Sequence, residues 1–406
     1  MGSNMNRKME LYIHIPFCMK KCQYCDFLSF PADEDTQNVY VEALLREIAY
    51  YGKKCTSYAV STVYIGGGTP SWLREEAIEA VMAAVQRAFS LEQDAEISIE
   101  CNPGTVTDRK FSVYKKAGIN RISIGLQSAN DLELKALGRI HSFDQFLKTY
   151  ELARKNGFSN INVDLMNSLP KQSVDSYART LMQVLRLKPE HISAYSLIIE
   201  KGTPFYDLYK FDAARQEAGM QTVALPTEEE VCRMTELTEQ MLGEAGFEHY
   251  EISNFAKKGY ACRHNIGYWE RDNYLGMGLG ASSLMENIRY TNISDLYSYI
   301  EETQKLREGI WQNDTEEIPA TNLHASAERI SRRAQMEEFM FLGLRMTEGV
   351  SREKFEREFG IPIEGVYQEA MRELVEEELL VKRAGRIYLS KKGQNVSNYA
   401  LAKFLL

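Results

Sequence analysis

Three cysteines fall close together, Cys18, Cys22 and Cys25 in HIPFCMKKCQYCDF, spaced C-x3-C-x2-C. Thiolates this near one another can grip one face of an iron–sulfur cluster. A cubane [4Fe–4S] cluster usually takes four cysteines, so three would leave one iron open to a small molecule. Zinc and simple buried thiols are the competing readings. A structural zinc site typically closes with four ligands, often as paired C-x2-C units, and the chain has no second C-x2-C. A disulfide suits neither the odd number nor the setting.

These cysteines follow Leu11-Tyr12-Ile13-His14-Ile15, an apolar run that predicts a first strand. A second predicted strand, Val63-Tyr64-Ile65, runs into Gly66-Gly67-Gly68-Thr69-Pro70. Glycines there would let backbone approach a ligand closely and turn N–H groups toward it. Strand-like runs continue at 96–101, 120–126, 160–166 and 190–198, with amphipathic stretches near 36–52, 73–89, 107–117, 130–156 and 173–187 between them. Six βα units predict parallel strands with right-handed crossovers. The expected fold is α/β, an incomplete (β/α)6 barrel with its site at the carboxyl ends of the strands. Glu100, Asn102 and Gln127 fall at such ends and Asp164 lies in the fifth strand. An unpaired carboxylate at the end of an apolar strand is costly to bury, which marks Glu100 and Asp164 for binding.

The chain has 406 residues, 44% hydrophobic and 26% charged, enough for two domains with real cores. A net charge of -9 argues against a nucleic-acid partner or an anionic membrane surface. No apolar run is long enough for a transmembrane segment, and the amino-terminal residues hold no signal core. The other cysteines, Cys55, Cys101, Cys232 and Cys262, are scattered as small core residues would be. Cysteine usage fits a cytoplasmic, reducing setting.

The expected division is a flexible segment over 1–8, the partial barrel over 9–215, and a smaller α+β C-terminal domain over 216–406. Thr227 and Glu230 form a capping box opening a helix. Residues 247–285 are rich in aromatics, Gly and Asn. From about 330 to 406 a helical, winged-helix-like module is predicted. Met336, Phe339, Met340 and Leu344 share an apolar face, and Val381 to Leu389 reads as a hairpin about Ala384-Gly385. Residues 332–406 carry 13 Lys/Arg against 12 Asp/Glu, so the basic footprint of a DNA-binding wing is missing.

CxxxCxxC after one strand and GGGTP after the next resemble the radical SAM superfamily. In that superfamily the open iron is chelated by the amino and carboxylate groups of S-adenosylmethionine (SAM). NRISIGLQS, LKALGRIHS, DLMNSLPKQS, HISAYSLIIEKGTPFY, HYEISNFAKKGYACRHNIGYW and YLGMGLGASS further resemble its coproporphyrinogen dehydrogenase/HemW branch. The resemblance implies that Cys18, Cys22 and Cys25 ligate the cluster. It implies that Tyr12 contacts SAM, that Tyr24 packs on adenine, and that Gly66, Gly67, Gly68 and Thr69 meet the methionine end. Glu100, Gln127, Arg139 and Asp164 match polar positions that hold SAM in the dehydrogenase.

Two kinds of member differ within that branch. The oxygen-independent coproporphyrinogen III dehydrogenase, HemN, is a radical oxidative decarboxylase with a longer leading segment and a fourth cysteine, CxxxCxxCxC. The heme chaperones have CxxxCxxCxF and HNxxYW. Here the fourth position is Phe27, and the later segment is His264-Asn265-Ile266-Gly267-Tyr268-Trp269. Both features point to a protein that binds heme, delivers it to acceptor hemoproteins, some at the membrane, and lacks dehydrogenase activity. No catalytic residue is then expected. The alternative is the dehydrogenase itself, or another porphyrin-directed radical SAM enzyme. His264, among Tyr260, Tyr268 and Trp269, is the expected heme ligand, since neutral imidazole binds iron well; Cys262 is a weaker candidate. Ser168 and Lys171 stand where relatives have glycine, and Ala129 where phenylalanine is usual.

Overall fold

The computed structural model describes residues 7–306 and 322–406. Six strands run parallel and in sequence order: β1 (Arg7–Ile15), β2 (Tyr58–Gly67), β3 (Ser90–Cys101), β4 (Arg121–Gln127), β5 (Ile161–Asn167) and β6 (His191–Ser196). Helices Glu34–Lys54, Glu75–Ala88, Asp108–Lys116, Phe143–Lys155 and Val174–Arg186 connect them. These helices are amphipathic, and their buried sides join the strands' outward apolar residues in one large core. The predicted partial barrel is present. β1 starts at Arg7, so Arg7 and Lys8 are strand; residues 1–6 of the expected flexible segment lie outside the described residues.

The amphipathic stretch 130–156 holds two helices, Asp131–Ala136 and Phe143–Lys155. Gly138 takes a left-handed φ of 76°, and Ser142 with Gln145 forms a capping box that restarts the helix. Ser168 and Lys171 also take left-handed φ, 63° each. Their places demand the backbone freedom of glycine, and the side chains are carried there at a steric cost. The capping box at Thr227 and Glu230 opens helix Glu228–Glu244 as expected.

The sheet does not end with the barrel. β8 (Asn254–Ala256) adds antiparallel to β6, and β7 (Glu248–Glu251) adds antiparallel to β8. β9 (Tyr274–Met277) pairs parallel to β1, and β10 (Ser282–Met285), β11 (Ile288–Asn292) and β12 (His324–Arg329) extend that edge. Both barrel edges are therefore completed by segments later than residue 215, in one twelve-stranded sheet. Between β8 and β9, helix Arg263–Glu270 carries the chain from one edge to the other. A separate core and a three-stranded sheet form beyond it, from β13 (Val350–Ser351), β14 (Leu380–Arg383) and β15 (Arg386–Leu389). Phe339, Met340 and Leu344 lie in that core, and the hairpin turns at Ala384-Gly385.

Strand pleat and register decide what faces the barrel interior. One register row pairs Tyr12 with Tyr64 and Tyr64 with Ser98. On β4 and β5, Ser123 pairs with Asn162 and Gly125 with Asp164, while Glu100 pairs with Ser123. The interior is thus polar in successive rows, unlike the apolar shell outside it.

Candidate functional site

At the carboxyl ends of the strands lies a cavity of about 440 Å³. Cys18, Cys22, Tyr24, Cys25, Gly67, Gly68, Thr69, Glu100, Gln127, Arg139 and Asp164 all line it. Residues from five strands and the cysteine loop converge on one space because each follows, or ends, a parallel strand.

Each sulfur of the triad has its own polar neighbour. Thr69 Oγ1 donates to Cys18 Sγ at 3.4 Å, and Asn102 Nδ2 donates to Thr69 Oγ1 at 2.8 Å. Arg139 Nη1 donates to Cys22 Sγ at 3.7 Å. Cys25 Sγ lies 4.0 Å from Ser29 Oγ. Burial pushes the Cys25 thiol up, against the Phe27 backbone and the Ser29 hydroxyl. Among the described residues no three His, Cys, Asp or Glu side chains converge on a point suited to one metal ion. A cubane places each thiolate on a different iron, so three separated sulfurs with hydrogen-bond donors fit such a cluster.

The acids behind the sulfurs are held firmly. Glu100 accepts from Tyr64 OH at 3.0 Å and from the Gly67 N–H at 3.1 Å. Burial first, then the charge of Asp164, push its carboxyl up to about 7. Asp164 accepts from Ser123 Oγ at 3.0 Å and Asn162 Nδ2 at 2.7 Å, and burial raises it too. Arg139 Nη2 donates to the Gly125 carbonyl at 2.7 Å, while its Nε is buried without a partner. Gln127 reaches the cavity from a left-handed φ of 72° beside a register shift in β4. Two acids and one guanidinium in one cavity suit a zwitterion with ammonium and carboxylate ends.

Three of the expected site residues, Tyr12, Gly66 and His264, are not among those lining this cavity. Tyr12 is next to this site, not on its wall: its OH bonds His14 Nδ1 at 3.0 Å, and His14 Nε2 bonds the Leu28 carbonyl at 2.9 Å. Gly66 is packed against Tyr64 and Glu100, where a Cβ would come within 3.0 and 3.2 Å of them. His264 is on neither wall nor rim. It is 1% exposed, with Nδ1 2.7 Å from Thr62 Oγ1 and Nε2 3.1 Å from Tyr268 OH. Both ring nitrogens are engaged inside the barrel. Cys262, also fully buried, is turned to Glu96. Cys232, expected in the core, is exposed.

Tyr64, Ser123 and Tyr195 also line the cavity, and sequence reading passed them over. Their signal was present: each sits at an inward alternate position of a strand whose interior rows are polar.

With this geometry in place, comparison with known proteins is informative. Residues 12–184 match the Radical SAM superfamily and residues 330–396 the HemN C-terminal domain. The chain is a radical SAM protein. It is 35% identical to "Heme chaperone HemW" of Lactococcus lactis subsp. lactis over 99% of this chain and 98% of that one. It is 33% identical to the protein of that name from Bacillus subtilis, over 97% and 98%. A 40% identity with the Escherichia coli protein of that name covers 67% of this chain and 69% of the other. The chain belongs to the HemW family. Its fold is shared by Escherichia coli coproporphyrinogen III oxidase (HemN), with a TM-score of 0.80 at 22% identity over 98% of this chain and 90% of that one. No helix among the described residues is long and apolar enough to cross a membrane.

Proposed function

We propose that this protein is a heme chaperone. It holds a [4Fe–4S] cluster on Cys18, Cys22 and Cys25, binds SAM beside it, and passes heme to acceptor hemoproteins. The observation that carries the reading is the one cavity that gathers three thiols, each with a polar neighbour, beside Glu100, Arg139 and Asp164. Bound there, cluster and SAM supply one-electron chemistry, which the protein orients and shields. The chain's own part is to present Gly67 and Gly68 backbone, keep Glu100 and Asp164 in place, and hold the Cys22 sulfur through Arg139.

The fourth position of the cysteine motif supports the chaperone over the dehydrogenase. Phe27 lines the cavity mouth and is 69% exposed. It offers a face to a flat apolar molecule and no thiolate. Ile198, between the cavity-lining Tyr195 and Glu200, is likewise exposed. Apolar surface beside a cofactor site suits a porphyrin face. The names of the HemW relatives point the same way.

Anaerobic reconstitution followed by heme titration tests the proposal. A Soret band that saturates at about one heme per chain, with no protoporphyrinogen IX formed from coproporphyrinogen III under reducing conditions, is the expected result. Efficient turnover of coproporphyrinogen III would overturn it in favour of the dehydrogenase.

A further inference from the structure

His264 belongs to a motif that invites a heme reading, yet the structure seats it beneath the SAM site. Helix Arg263–Glu270 lies under the barrel. Gly267 makes its approach possible, because a Cβ there would overlap the Glu10 carboxyl of β1. The opposite end of the motif faces away: Trp269 is covered by the Arg345 guanidinium at 5.2 Å.

The imidazole lies flat on the Tyr64 ring, with centroids 5.1 Å apart and planes 18° apart. Tyr12 lies beside both rings and closes a triangle with them, its centroid 6.5 Å from His264 and 6.4 Å from Tyr64. Tyr64 in turn donates to Glu100 Oε1 at 3.0 Å, and the other oxygen of Glu100 receives the Gly67 N–H at 3.1 Å. Stacked aromatic rings hold one another within narrow geometry. The imidazole itself is fixed by Thr62 on one nitrogen and Tyr268 on the other. Burial and then Arg121 keep it neutral, pushed down to about 3, while Glu10 nearby is pushed up to about 9 by burial, Asp272 and Glu96. Its 3.4 Å approach to Glu10 is therefore a contact of neutral groups that leaves the ring in place.

We propose that His264 is a positioning residue for SAM, acting through the Tyr64 ring on the Glu100 carboxylate and the glycine stretch, and not a ligand of heme iron. This rests on the radical SAM reading above. The HNIGYW segment is then the floor of the cofactor site, supplied by the C-terminal half of the chain.

The test uses the full-length chain, anaerobically reconstituted, with SAM affinity read from the shift in the reduced cluster's paramagnetic resonance signal and heme affinity from the Soret band. Tyr64→Phe keeps the ring and removes only the hydroxyl. It is expected to weaken SAM about tenfold, the worth of one hydrogen bond to a charged group. His264→Ala is expected to do the same, and the double variant to be no weaker than about tenfold, because residues acting in series are not additive. His264→Phe restores a ring beneath Tyr64 and should recover most of the affinity. Heme affinity should be unchanged throughout. The proposal falls if Tyr64→Phe binds SAM as the wild type does, if the two losses multiply, or if His264→Ala loses heme while keeping SAM. Should His264→Ala fail to fold, Tyr64→Phe and His264→Phe decide between these outcomes. A wild type that binds no SAM would overturn the radical SAM reading itself, before any variant is compared.

Discussion

The Arg139 guanidinium joins the Cys22 sulfur, at 3.7 Å, to the Gly125 carbonyl at 2.7 Å. One side chain thereby ties the cysteine loop to the end of β4. A donor on a ligand sulfur favours the more negative, reduced state of a cluster. Arg139→Gln, which keeps a donor near Gly125 and removes the charge, should leave iron content unchanged. The reduction potential should fall by on the order of 60 mV, the one-electron equivalent of about 1.4 kcal/mol. A redox titration followed by paramagnetic resonance checks this, and an unmoved potential would detach Arg139 from the cluster.

Replacing Cys18, Cys22 and Cys25 together by alanine should remove about four irons per chain. Replacing Cys55, Cys101, Cys232 and Cys262 should leave the iron in place, since none lies among the triad. Iron and sulfide analysis after anaerobic reconstitution separates the two sets.

Glu10 gives stability an alkaline slope. Its carboxyl is buried near Asp272 and Glu96 and is raised from 4.5 to about 9. A raised carboxyl keeps its proton in the folded chain and loses it in the unfolded one. Its contribution is complete below pH 4.5 and disappears as pH climbs through about 9. The lowered histidine, His264, acts on the opposite side, where the unfolded chain protonates below about 6.5. Between pH 7 and 8 Glu10 should therefore cost about 1.4 kcal/mol per pH unit. Thermal melting of Glu10→Gln across that interval should show a flatter dependence than the wild type, and parallel curves would refute the assignment.

Lys171 carries a side chain at a left-handed φ of 63° and is exposed. Glycine relieves about 1–2 kcal/mol of strain there and returns about 0.4–1 kcal/mol through the freer unfolded chain. Lys171→Gly should be stabilising by roughly 0.5 kcal/mol on balance, read as a small rise in melting temperature. A fall would mean that the lysine side chain contributes more than its backbone costs.

The cysteine loop, the glycine stretch and the acids at strand ends were legible in the sequence because each is local: a spacing, a strand and its last residue. Ser142 and Gln145 likewise mark the start of the second helix within the amphipathic stretch 130–156. The course of residues 247–285 was not legible. β8 is three residues long and β9 four, too short for a period of their own. They exist through pairing with β6 and β1, partners far away in sequence. The burial of His264 was not legible either. Aromatic neighbours suit a porphyrin or an interior stack equally well, and only burial, a property of the whole fold, tells them apart.

The completion of both barrel edges by later segments has a practical result. A chain cut near residue 215 would keep the residues that line the cavity, yet lose the HNIGYW segment beneath it and bare the sides of β1 and β6 that now pair with β9 and β8. Two rows of unmatched N–H and C=O groups would be open to other chains, the usual template for edge-to-edge aggregation. The radical SAM half of this protein is therefore not a detachable cassette, and fragments meant to isolate it should include β7 to β12.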